Sequence, residues 1–519
     1  MSVVDADPAP AAVARWRWQP YAIVFLSSAC IMILELVAGR IVAPYVGVSL
    51  YTWTTIIGVV LAGISLGNYL GGRLADRRGS LRLLGTLFVL AGLTSFGVLA
   101  VDVIGGRLPD RWPVVLEILV LVTVLFFVPC VVLGTISPVV AKLAVRDLAT
   151  TGSTVGKIYA AGTVGSIVGT FLTGFVLISW FGTHAIVWGV ALTLLALGVV
   201  FWLGGRWPVA AAAALVLAGG LGIARWQGWT VSRCTLETNY FCIRVRDQER
   251  DGRPVRVLLL DRLVHSYSSL DDPTFLVYGY ERMYAELTAY RAQQDRDLSA
   301  LFIGGGGYTF PRYMEAVYPG SDLEVIEIDP GVTQVAYAML GLDPNTAIRT
   351  VNLDARLAMR GDPPRRYDLI MGDAFNDFSV PYHLTTHEFN QAVKRWLEPD
   401  GLYMINMIDG PRADFLRAFV HTLRQSFAHV YVAPTFARWR ETPRTTFVLI
   451  ATDQPLDLER LGTIDGGDGQ VDLVLRLWTE EQLDAVLAQG RLVLLTDRYA
   501  PVDQLLAPAF REYVPEQEE

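Results

Sequence analysis

The sequence is poor in the residues that build metal and redox sites. Its 519 residues include six histidines and four cysteines, and no histidine lies at a ligand spacing from cysteine or from paired acids. We therefore expect no metal. The part after residue 230 also lacks a Gly-x-Ser-x-Gly segment, which excludes a serine nucleophile elbow there.

Charge is scarce as well. Charged residues make up 18% of the chain and apolar residues 52%, and the mean hydropathy is +0.37. This composition is too apolar for an ordinary soluble enzyme of such length. It indicates a membrane protein.

Long apolar runs fill the first 225 residues, and each is close to the ~20 residues that the hydrocarbon core of a bilayer requires. The N-terminal tail, 1–20, is polar and leads directly into a full span, so no cleavable signal is expected. The sequence predicts a transmembrane domain over 21–225. Its seven spans are 21–38, 50–72, 82–101, 113–135, 155–178, 185–203 and 208–224.

The net charge changes sign near the end of the predicted transmembrane domain. Residues 1–230 contain 14 basic and 8 acidic residues, whereas the remainder contains 29 and 43. An acidic domain attracts cationic ligands and repels nucleic acid, so we expect no nucleic-acid partner. The acidity can equally serve solubility alone.

The basic residues that flank the spans predict the topology. Ten of them lie on the side of the N-terminus and four on the other side, which places the N-terminus in the cytoplasm. Seven spans then place the C-terminal part outside the cytoplasm, and one span fewer reverses this result. The ten are Arg15, Arg17, Arg73, Arg77, Arg78, Arg82, Lys142, Arg146, Lys157 and Arg206, and the four are Arg40, Arg107, Arg111 and Arg225.

Two cysteines, Cys234 and Cys242, follow the last predicted span. Along one straight strand they would be ~26 Å apart, whereas a hairpin would allow a disulfide. A disulfide would indicate an oxidising compartment. Both a bridge and two free thiols are compatible with the sequence.

The C-terminal part begins with a small β-rich subdomain, 230–295. Two strand-like runs flank the turn DGRP, and a helix rich in tyrosine follows. Over 296–519, seven apolar strand segments alternate with amphipathic helices. The segments are LFIGGG, VIEID, IRTVNLD, YDLIMGDA, GLYMINMI, HVYVAPT and FVLIATD. The pattern predicts an α/β domain with a doubly wound, Rossmann-like sheet of the methyltransferase type.

The segment 298–330 is the most informative part of the chain. A strand ending at Ile303 enters four glycines, Gly304–Gly307, and the next strand ends in Glu327-Ile328-Asp329. Glycines let the backbone approach a ligand closely, and a carboxylate at this distance can accept hydrogen bonds from ribose hydroxyls. The alternative is a purely structural turn. Two further acids end later strands on the same rim, Asp354 and Asp373.

At this point the residues resemble a known family. From about 235 to 510 the chain is similar to the spermidine synthases, or polyamine aminopropyltransferases. With the N-terminal spans and the basic loop 71–80, which is similar to that of major facilitator transporters, it resembles their membrane-fused bacterial form. The matching segments are ETNYFCIRV, LLLDRLVHS, IGGGG, VIEID, YDLIMGDAFND, VPYHLTTHEF and TDRYAPVDQLL.

The resemblance implies a role for each matching residue. The co-substrate would be decarboxylated S-adenosylmethionine, with methylthioadenosine as product and no metal. The acceptor would be an amine or polyamine such as putrescine. Glu327 would bind the ribose, Asp354 with Ala355 the adenine, and Asp373 would take a proton from the attacking amine. The other implied positions are Gly304, Gly305, Gly306 and Asp329 for the nucleoside, and His265, Tyr280 and Asp377 for the acceptor.

The chain also departs from the family's pattern. Gly307 stands where the family has an aspartate that holds the amine, and Asn376 stands where a second acid is expected. Arg262 and Arg282 would repel a polycation if they faced the site. The half of the site that binds the nucleoside is therefore largely kept, and the half that binds the polyamine is changed.

Two other functions remain open. One is a transporter-like or receptor-like protein whose C-terminal domain binds a nucleoside or polyamine without turnover. The other is an S-adenosylmethionine-dependent transferase with a different acceptor. Further expectations are a homodimer and a multi-pass location in the cell membrane. The charge count favours an extracytoplasmic catalytic domain, whereas the cytoplasmic origin of the sulfonium favours the inner side.

Overall fold

The structure, a computed structural model, describes residues 19–107, 112–145, 147–203, 207–293, 297–374, 380–464 and 473–510. By its contacts the chain divides into two compact units. We call them the helical unit and the α/β unit. The helical unit comprises Met1–Tyr45, Tyr51–Leu108 and Leu116–Cys234, and the α/β unit comprises Val46–Leu50, Pro109–Val115 and Thr235–Glu519.

The helical unit contains six helices that are long and apolar enough to cross a membrane. They coincide with the first six predicted spans. The seventh, 208–224, lies within a further helix, α7 (Trp207–Trp226), which is not among those six in the described part of the chain. The six are α1 (Gln19–Val46), α2 (Leu50–Arg78), α3 (Leu81–Arg107), α4 (Val114–Ala144), α5 (Leu148–Trp180) and α6 (Thr183–Trp202).

A polar cluster joins several segments at one end of the helical unit. The Tyr45 hydroxyl donates to Asp102 Oδ1 over 2.7 Å, and His184 Nε2 lies 3.3 Å from Asp102 Oδ2. Arg233 Nε, beyond α7, lies 3.7 Å from Asp102 Oδ1. The end of α1, the end of α3, the start of α6 and the segment after α7 therefore meet at this end, which we call the Asp102 end.

Aromatic packing indicates the same course for α7. The ring of Trp188, near the start of α6, stacks on Trp229 with centroids 6.2 Å apart. Trp229 follows α7, and Trp188 lies near the start of α6. Helix α7 therefore returns to the end at which α6 begins. The two helices are antiparallel neighbours.

The α/β unit begins with a four-stranded antiparallel sheet in the order β1-β2-β3-β4. A tight turn at Asp251 (φ 49°) and Gly252 (φ 72°) joins β2 to β3, as the DGRP segment predicts. The second strand-like run of the sequence forms two strands, because Asp261 adopts a left-handed conformation (φ 51°) and reverses the chain. The strands are β1 (Leu236–Glu237), β2 (Cys242–Arg250), β3 (Arg253–Leu260) and β4 (Leu263–Ser268).

A β-bulge interrupts β4. Leu258 pairs with Ser266, but the next residue of β3, Leu259, pairs with Val264. His265 is thus the extra residue opposite the β3 strand. Helix α8 (Gly279–Ala292) follows this sheet.

The second sheet has seven strands, and each of the seven strand segments predicted from 301 onward forms one of them. Its order is β10-β11-β9-β8-β5-β6-β7. The strands β9, β8, β5, β6 and β7 run parallel, whereas β11 is antiparallel to both β9 and β10. The sheet is therefore mixed. The strands are β5 (Ser299–Ile303), β6 (Asp322–Ile326), β7 (Arg349–Val351), β8 (Tyr367–Gly372), β9 (Leu397–Asp409), β10 (His429–Pro434) and β11 (Thr445–Thr452).

Helices cover both faces of this sheet. Successive residues of β5 enter different cores: Leu301 and Ile303 pack on one face, and Ala300 and Phe302 on the other. Burial on both faces explains why the strands are continuous apolar runs. The main helices are α9 (Thr309–Val317), α10 (Pro330–Met339), α11 (Ala355–Ala358), α12 (His387–Trp396) and α13 (Asp414–Leu423).

Candidate active site

The glycine turn follows β5 at the carboxyl edge of the large sheet. Gly304 has a φ of 100°, and a Cβ there would overlap the carbonyl oxygen of Asp373. Both features require glycine. The turn therefore lets the loop after β5 lie directly against the loop after β8.

Glu327, immediately after β6, supports this turn. Its Oε2 accepts a hydrogen bond from the Gly305 amide over 2.7 Å, and its Oε1 accepts one from the Asp329 amide over 2.9 Å. The side chain is 6% exposed. Burial raises its pKa, and the two amides oppose that shift. The carboxylate is thus fixed against the glycine turn by two backbone amides.

Asp329, the other acid of this segment, has both oxygens engaged in the fold. Oδ1 accepts from the Gly331 amide over 2.8 Å and caps α10. Oδ2 accepts from the Thr238 hydroxyl over 2.5 Å. The residue is 1% exposed. Its contacts hold the β1–β2 loop against α10.

Asp354 lies after β7, on the same edge of the sheet. Its Oδ1 caps α11 through the Leu357 amide at 3.0 Å, and its Oδ2 lies 2.9 Å from His383 Nε2. Ala355, the first residue of α11, is buried. His383 was not singled out by the sequence, although it lies in the matching segment VPYHLTTHEF.

Asp373 follows β8, and two side chains hold its carboxylate. Asn406 Nδ2 donates to Oδ1 over 2.8 Å, and the Tyr280 hydroxyl donates to Oδ2 over 2.9 Å. Burial raises the pKa of Asp373, while these two hydrogen bonds lower it. The tyrosine cannot compete for the proton, because burial raises its own pKa well above 10. The arrangement orients a carboxylate that can accept a proton.

Asp373 opens onto a cleft between α8, β4 and the glycine turn. Three residues predicted for the acceptor or the chemistry line it, namely His265, Tyr280 and Asp373. Glu327, Asp329 and Asp354 do not line it. Asp377 lies outside the described residues. The full lining is His265, Ser266, Tyr280, Glu281, Tyr284, Phe302, Gly304, Gly305, Gly306, Gly307, Thr309, Phe310, Pro311, Met371 and Asp373.

The two arginines expected to repel a polycation do not reach this cleft. Neither Arg262 nor Arg282 belongs to its described lining. Arg282 Nε instead donates to the Leu276 carbonyl over 3.0 Å. The charge of Arg282 nevertheless acts on Glu281, which lines the cleft.

Sequence reasoning missed three residues beside Asp373. Asn406 is a polar residue inside an apolar strand, and such a residue needs a partner when buried, so its position was a usable signal. Glu281 and Tyr284 lie on α8 next to the predicted Tyr280. No sequence signal distinguished them from other polar residues of that helix. Among the described residues there is no group of three or more potential metal ligands.

Comparison with known proteins finds similarity to polyamine aminopropyltransferases. No family model matches the chain. A polyamine aminopropyltransferase of Vibrio vulnificus is 32% identical over 133 residues, which are 25% of this chain and 44% of the relative. The chain thus spans less than half the length of that relative.

A second relative matches over a much longer region. Polyamine aminopropyltransferase 2 of Streptomyces coelicolor is 26% identical over 442 residues, 79% of this chain and 77% of the relative. That alignment is longer than the α/β unit and so extends into the helical unit. Among solved structures, a probable spermidine synthase from Corynebacterium glutamicum is similar over 51% of this chain and 95% of that chain, at 21% identity and a TM-score of 0.44.

Proposed function

We propose that this chain, a relative of the polyamine aminopropyltransferases, is a membrane-bound aminopropyltransferase. It would transfer the aminopropyl group of decarboxylated S-adenosylmethionine to an amine such as putrescine and release methylthioadenosine. The observation that carries the proposal is the Asp373 carboxylate. Tyr280 and Asn406 hold it on a cleft that the glycine turn also lines.

For this reaction the protein has to position the amine and the sulfonium and to accept a proton. The lone pair of a neutral amine attacks the aminopropyl carbon bonded to sulfur. A carbon–nitrogen bond forms, and the carbon–sulfur bond breaks with its electron pair left on sulfur, which cancels the sulfonium charge. The proton released by the new secondary amine passes to Asp373. An oriented base and a fixed approach are sufficient for such a displacement.

The acceptor side of the site comes from the predicted small subdomain, 230–295. The nucleoside side comes from the predicted Rossmann-like domain, 296–519. The glycine turn and Glu327 of the large sheet fit a nucleoside, since a buried carboxylate can accept the ribose hydroxyls. The small sheet and α8 supply His265, Ser266 and Tyr280 on the acceptor side. Donor and acceptor would therefore meet at Asp373.

The test is transfer by the purified full chain in detergent, with Asp373→Asn as the variant. With decarboxylated S-adenosylmethionine and a panel of amines, mass spectrometry should detect an aminopropylated amine together with methylthioadenosine. Asp373→Asn should bind methylthioadenosine normally but lose about two to four orders of magnitude in rate, the usual contribution of a general base.

Other outcomes of that assay identify the alternatives. Methylation of an acceptor by intact S-adenosylmethionine, without aminopropyl transfer, would indicate a transferase of another kind. Binding of methylthioadenosine without transfer to any amine would indicate a binding domain. A normal rate in Asp373→Asn would remove the proposed role of that carboxylate.

We further propose that the α/β unit begins on the side of the membrane opposite the basic loops. The helices α1 to α6 support a multi-pass membrane protein. The contacts of Arg233 and Trp229 at the Asp102 end support a seventh crossing by α7. With the basic loops in the cytoplasm, the chain enters the α/β unit on the extracytoplasmic side. The disulfide bonding of Cys234 and Cys242 agrees with that compartment.

A further inference from the structure

Glu35 is a carboxyl group in the interior of the first membrane helix. At the helical rise of about 1.5 Å per residue it lies ~24 Å from the start of α1 (Gln19–Val46) and ~17 Å from its end. Among the described residues it makes no hydrogen bond or ion pair. An ionisable group at this depth is costly in lipid, and such groups are typically functional. The proposed transfer reaction does not use Glu35.

The side chain lies on the packed face of α1. Ile31, Ala38 and Val42 share this face with Glu35, at helical spacings of four, three and seven residues, and all three are buried. Glu35 itself is half-buried. Because its neighbours on this face are covered by other helices, the carboxyl group borders a gap between helices rather than the acyl chains.

A π-helical segment of α5 lies at the same depth as this carboxyl group. A Cβ on Gly165 would overlap the backbone of Phe25, and a Cβ on Gly169 would overlap that of Ala29. The two helices therefore run parallel, and each residue of α5 is level with the one 140 positions earlier in α1. In this register the π-helical segment Thr173–Leu177 is level with the carboxyl group.

A second π-helical segment lies on α4, over Thr123–Phe127. Pro129 follows it and has no N–H to donate, so one carbonyl oxygen of the preceding turn loses its main-chain partner. The carboxyl group of Glu35 is close enough to act electrostatically on the next residue, Cys130. The interrupted turn of α4 is therefore also near Glu35.

The two segments supply oxygen atoms that a regular helix does not. A π-helical turn breaks the i→i−4 hydrogen-bond ladder and is frequent at functional sites. The part of the chain that the structure describes has two such segments, and both lie near Glu35. Each begins with a threonine. The hydroxyl of Thr173 donates to the Gly169 carbonyl over 2.7 Å, so its lone pairs remain available to a ligand.

We propose that Glu35 and the oxygen atoms of these two segments bind a monovalent cation inside the helical unit. Carboxylate, carbonyl and hydroxyl oxygens suit hard cations, and a single carboxylate balances a single positive charge. Backbone carbonyls at interrupted membrane helices coordinate Na⁺ in transporters. Na⁺ and a primary ammonium share this chemistry. The helical unit then has a ligand of its own, independent of the transfer reaction in the α/β unit.

Dicyclohexylcarbodiimide tests the site, because it reacts with protonated carboxyl groups in apolar surroundings. The purified full chain in detergent is treated in a choline buffer, and mass spectrometry of the peptide that contains Glu35 measures the adduct. We expect an adduct at Glu35 in choline, a bulky cation without an N–H donor. A bound cation keeps the carboxyl group ionised, so replacing choline by Na⁺ or ethylammonium should slow the reaction about tenfold, along a saturation curve. Glu35→Gln should show no adduct in this peptide.

Two threonine variants show whether the π-helical segment of α5 takes part. Thr173→Val removes one oxygen, so the cation concentration that halves the reaction rate should rise about 2–10-fold, the usual cost of one hydrogen-bonding group. Thr163→Val is the matched control. Thr163 lies on the same helix and donates to the Tyr159 carbonyl over 3.0 Å, but it is exposed and outside the segment. Protection in this variant should equal that of the wild type.

Protection by Na⁺ would identify a metal ion as the ligand, and protection by ethylammonium alone would identify an amine. Either result supports the site. An adduct that neither cation reduces would show a carboxyl group that only holds a proton, and it would overturn the inference. The absence of an adduct in choline would do the same, as would equal protection in Thr173→Val and wild type. The readout is independent of aminopropyl transfer, so failure of either proposal leaves the other standing.

Discussion

At the scale of single residues, two carboxyl groups share one cleft but differ in their surroundings. Asp373 accepts hydrogen bonds from Tyr280 and Asn406, both under 3 Å. Glu281 accepts one long bond from a backbone amide. Hydrogen bonds to the charged form favour ionisation and burial opposes it. Asp373 is therefore the better candidate for a base, and Glu281 is the group that holds a proton in the empty site.

Glu281 should make the stability of the α/β unit depend on pH. Its pKa in the fold is about 8 and its ordinary value is 4.5. Between these values the folded protein holds a proton that the unfolded chain has lost, so stability falls as pH rises through this window. Asp373 strengthens the shift, Arg282 weakens it, and the neutral His265 lines the same cleft. Ligand-free Glu281→Gln lacks this titration and should melt at a higher temperature than wild type at pH 8.

Thermal unfolding of the full chain in detergent, followed by tryptophan fluorescence at pH 5 and pH 8, measures this difference. The melting temperatures of variant and wild type should be close at pH 5 and diverge at pH 8. Glu249→Gln, the same change at an exposed position of β2, is the control and should show no such divergence. Parallel pH profiles for wild type and Glu281→Gln would mean that Glu281 does not hold the proton.

Much of the candidate site was predictable because strand ends are visible in a sequence. Glu327, Asp354 and Asp373 each follow an apolar run, and parallel strands bring such positions to one edge. Asn406 stands out as a polar residue in an apolar strand, but its contact with Asp373 was not predictable, and neither was the place of Glu281 in the cleft. Their roles depend on which strand pairs with β8 and on how α8 lies over the edge, and local periodicity contains neither fact.

At the scale of elements, the glycine turn and the bulged strand β4 pack closely against each other. The Thr309 hydroxyl, at the start of α9, lies 3.0 Å from the hydroxyl of Ser268. Gly307 lies directly against Ser266. The nucleoside side and the acceptor side of the cleft therefore share a contact surface, and a displacement of one displaces the other.

Gly307→Ala tests this fit. The new methyl group would overlap Ser266 Oγ, so β4 must shift, and such overpacking typically costs about 1–3 kcal/mol of stability. We expect a lower melting temperature and a higher KM for the amine acceptor. Gly279→Ala is the control, because a Cβ there meets its nearest atom at 3.6 Å, an ordinary contact. A Gly307→Ala protein with wild-type melting temperature and KM would show that the turn and β4 are not tightly coupled.

The sequence predicted the strands of both sheets more reliably than their pairing. Apolar runs bounded by turns identified all seven strands of the large sheet. Composition does not indicate, however, that β11 runs antiparallel to its neighbours. The division of the second run of the small sheet was also missed. It depends on Asp261, a non-glycine residue with positive φ, and such conformations are uncommon.

At the scale of the whole molecule, the course of α7 decides on which side the α/β unit begins. The sequence identified the apolar runs, but the short last run left the number of crossings open. The contacts at the Asp102 end favour an odd number, since Arg233 and Trp229 meet residues from the ends of α3 and the start of α6. Arg233 and Trp229 follow the last apolar run, so hydropathy gives no information about where they lie. Their contacts are visible only in the tertiary structure.

Single-cysteine labelling in intact cells tests the predicted sidedness. We place one cysteine at Glu459, exposed in the α/β unit, and another at Arg77, exposed in the last turn of α2. An impermeant maleimide should label Glu459→Cys and spare Arg77→Cys, and permeabilised cells should show labelling of both. The native Cys30 and Cys130 are buried, and Cys234 and Cys242 are disulfide-bonded, so the background should be low. Labelling at position 77 but not at 459 would place the α/β unit in the cytoplasm.

The meeting of Arg233 with Asp102 also bears on how the protein is made. If α7 crosses the bilayer, everything after it, Thr235–Glu519, is exported by the secretion machinery as an extended chain. Strand β5, the centre of the large sheet, pairs with β6 and β8, which are synthesised after it. The catalytic unit would then fold only after export, beyond the reach of cytoplasmic chaperones.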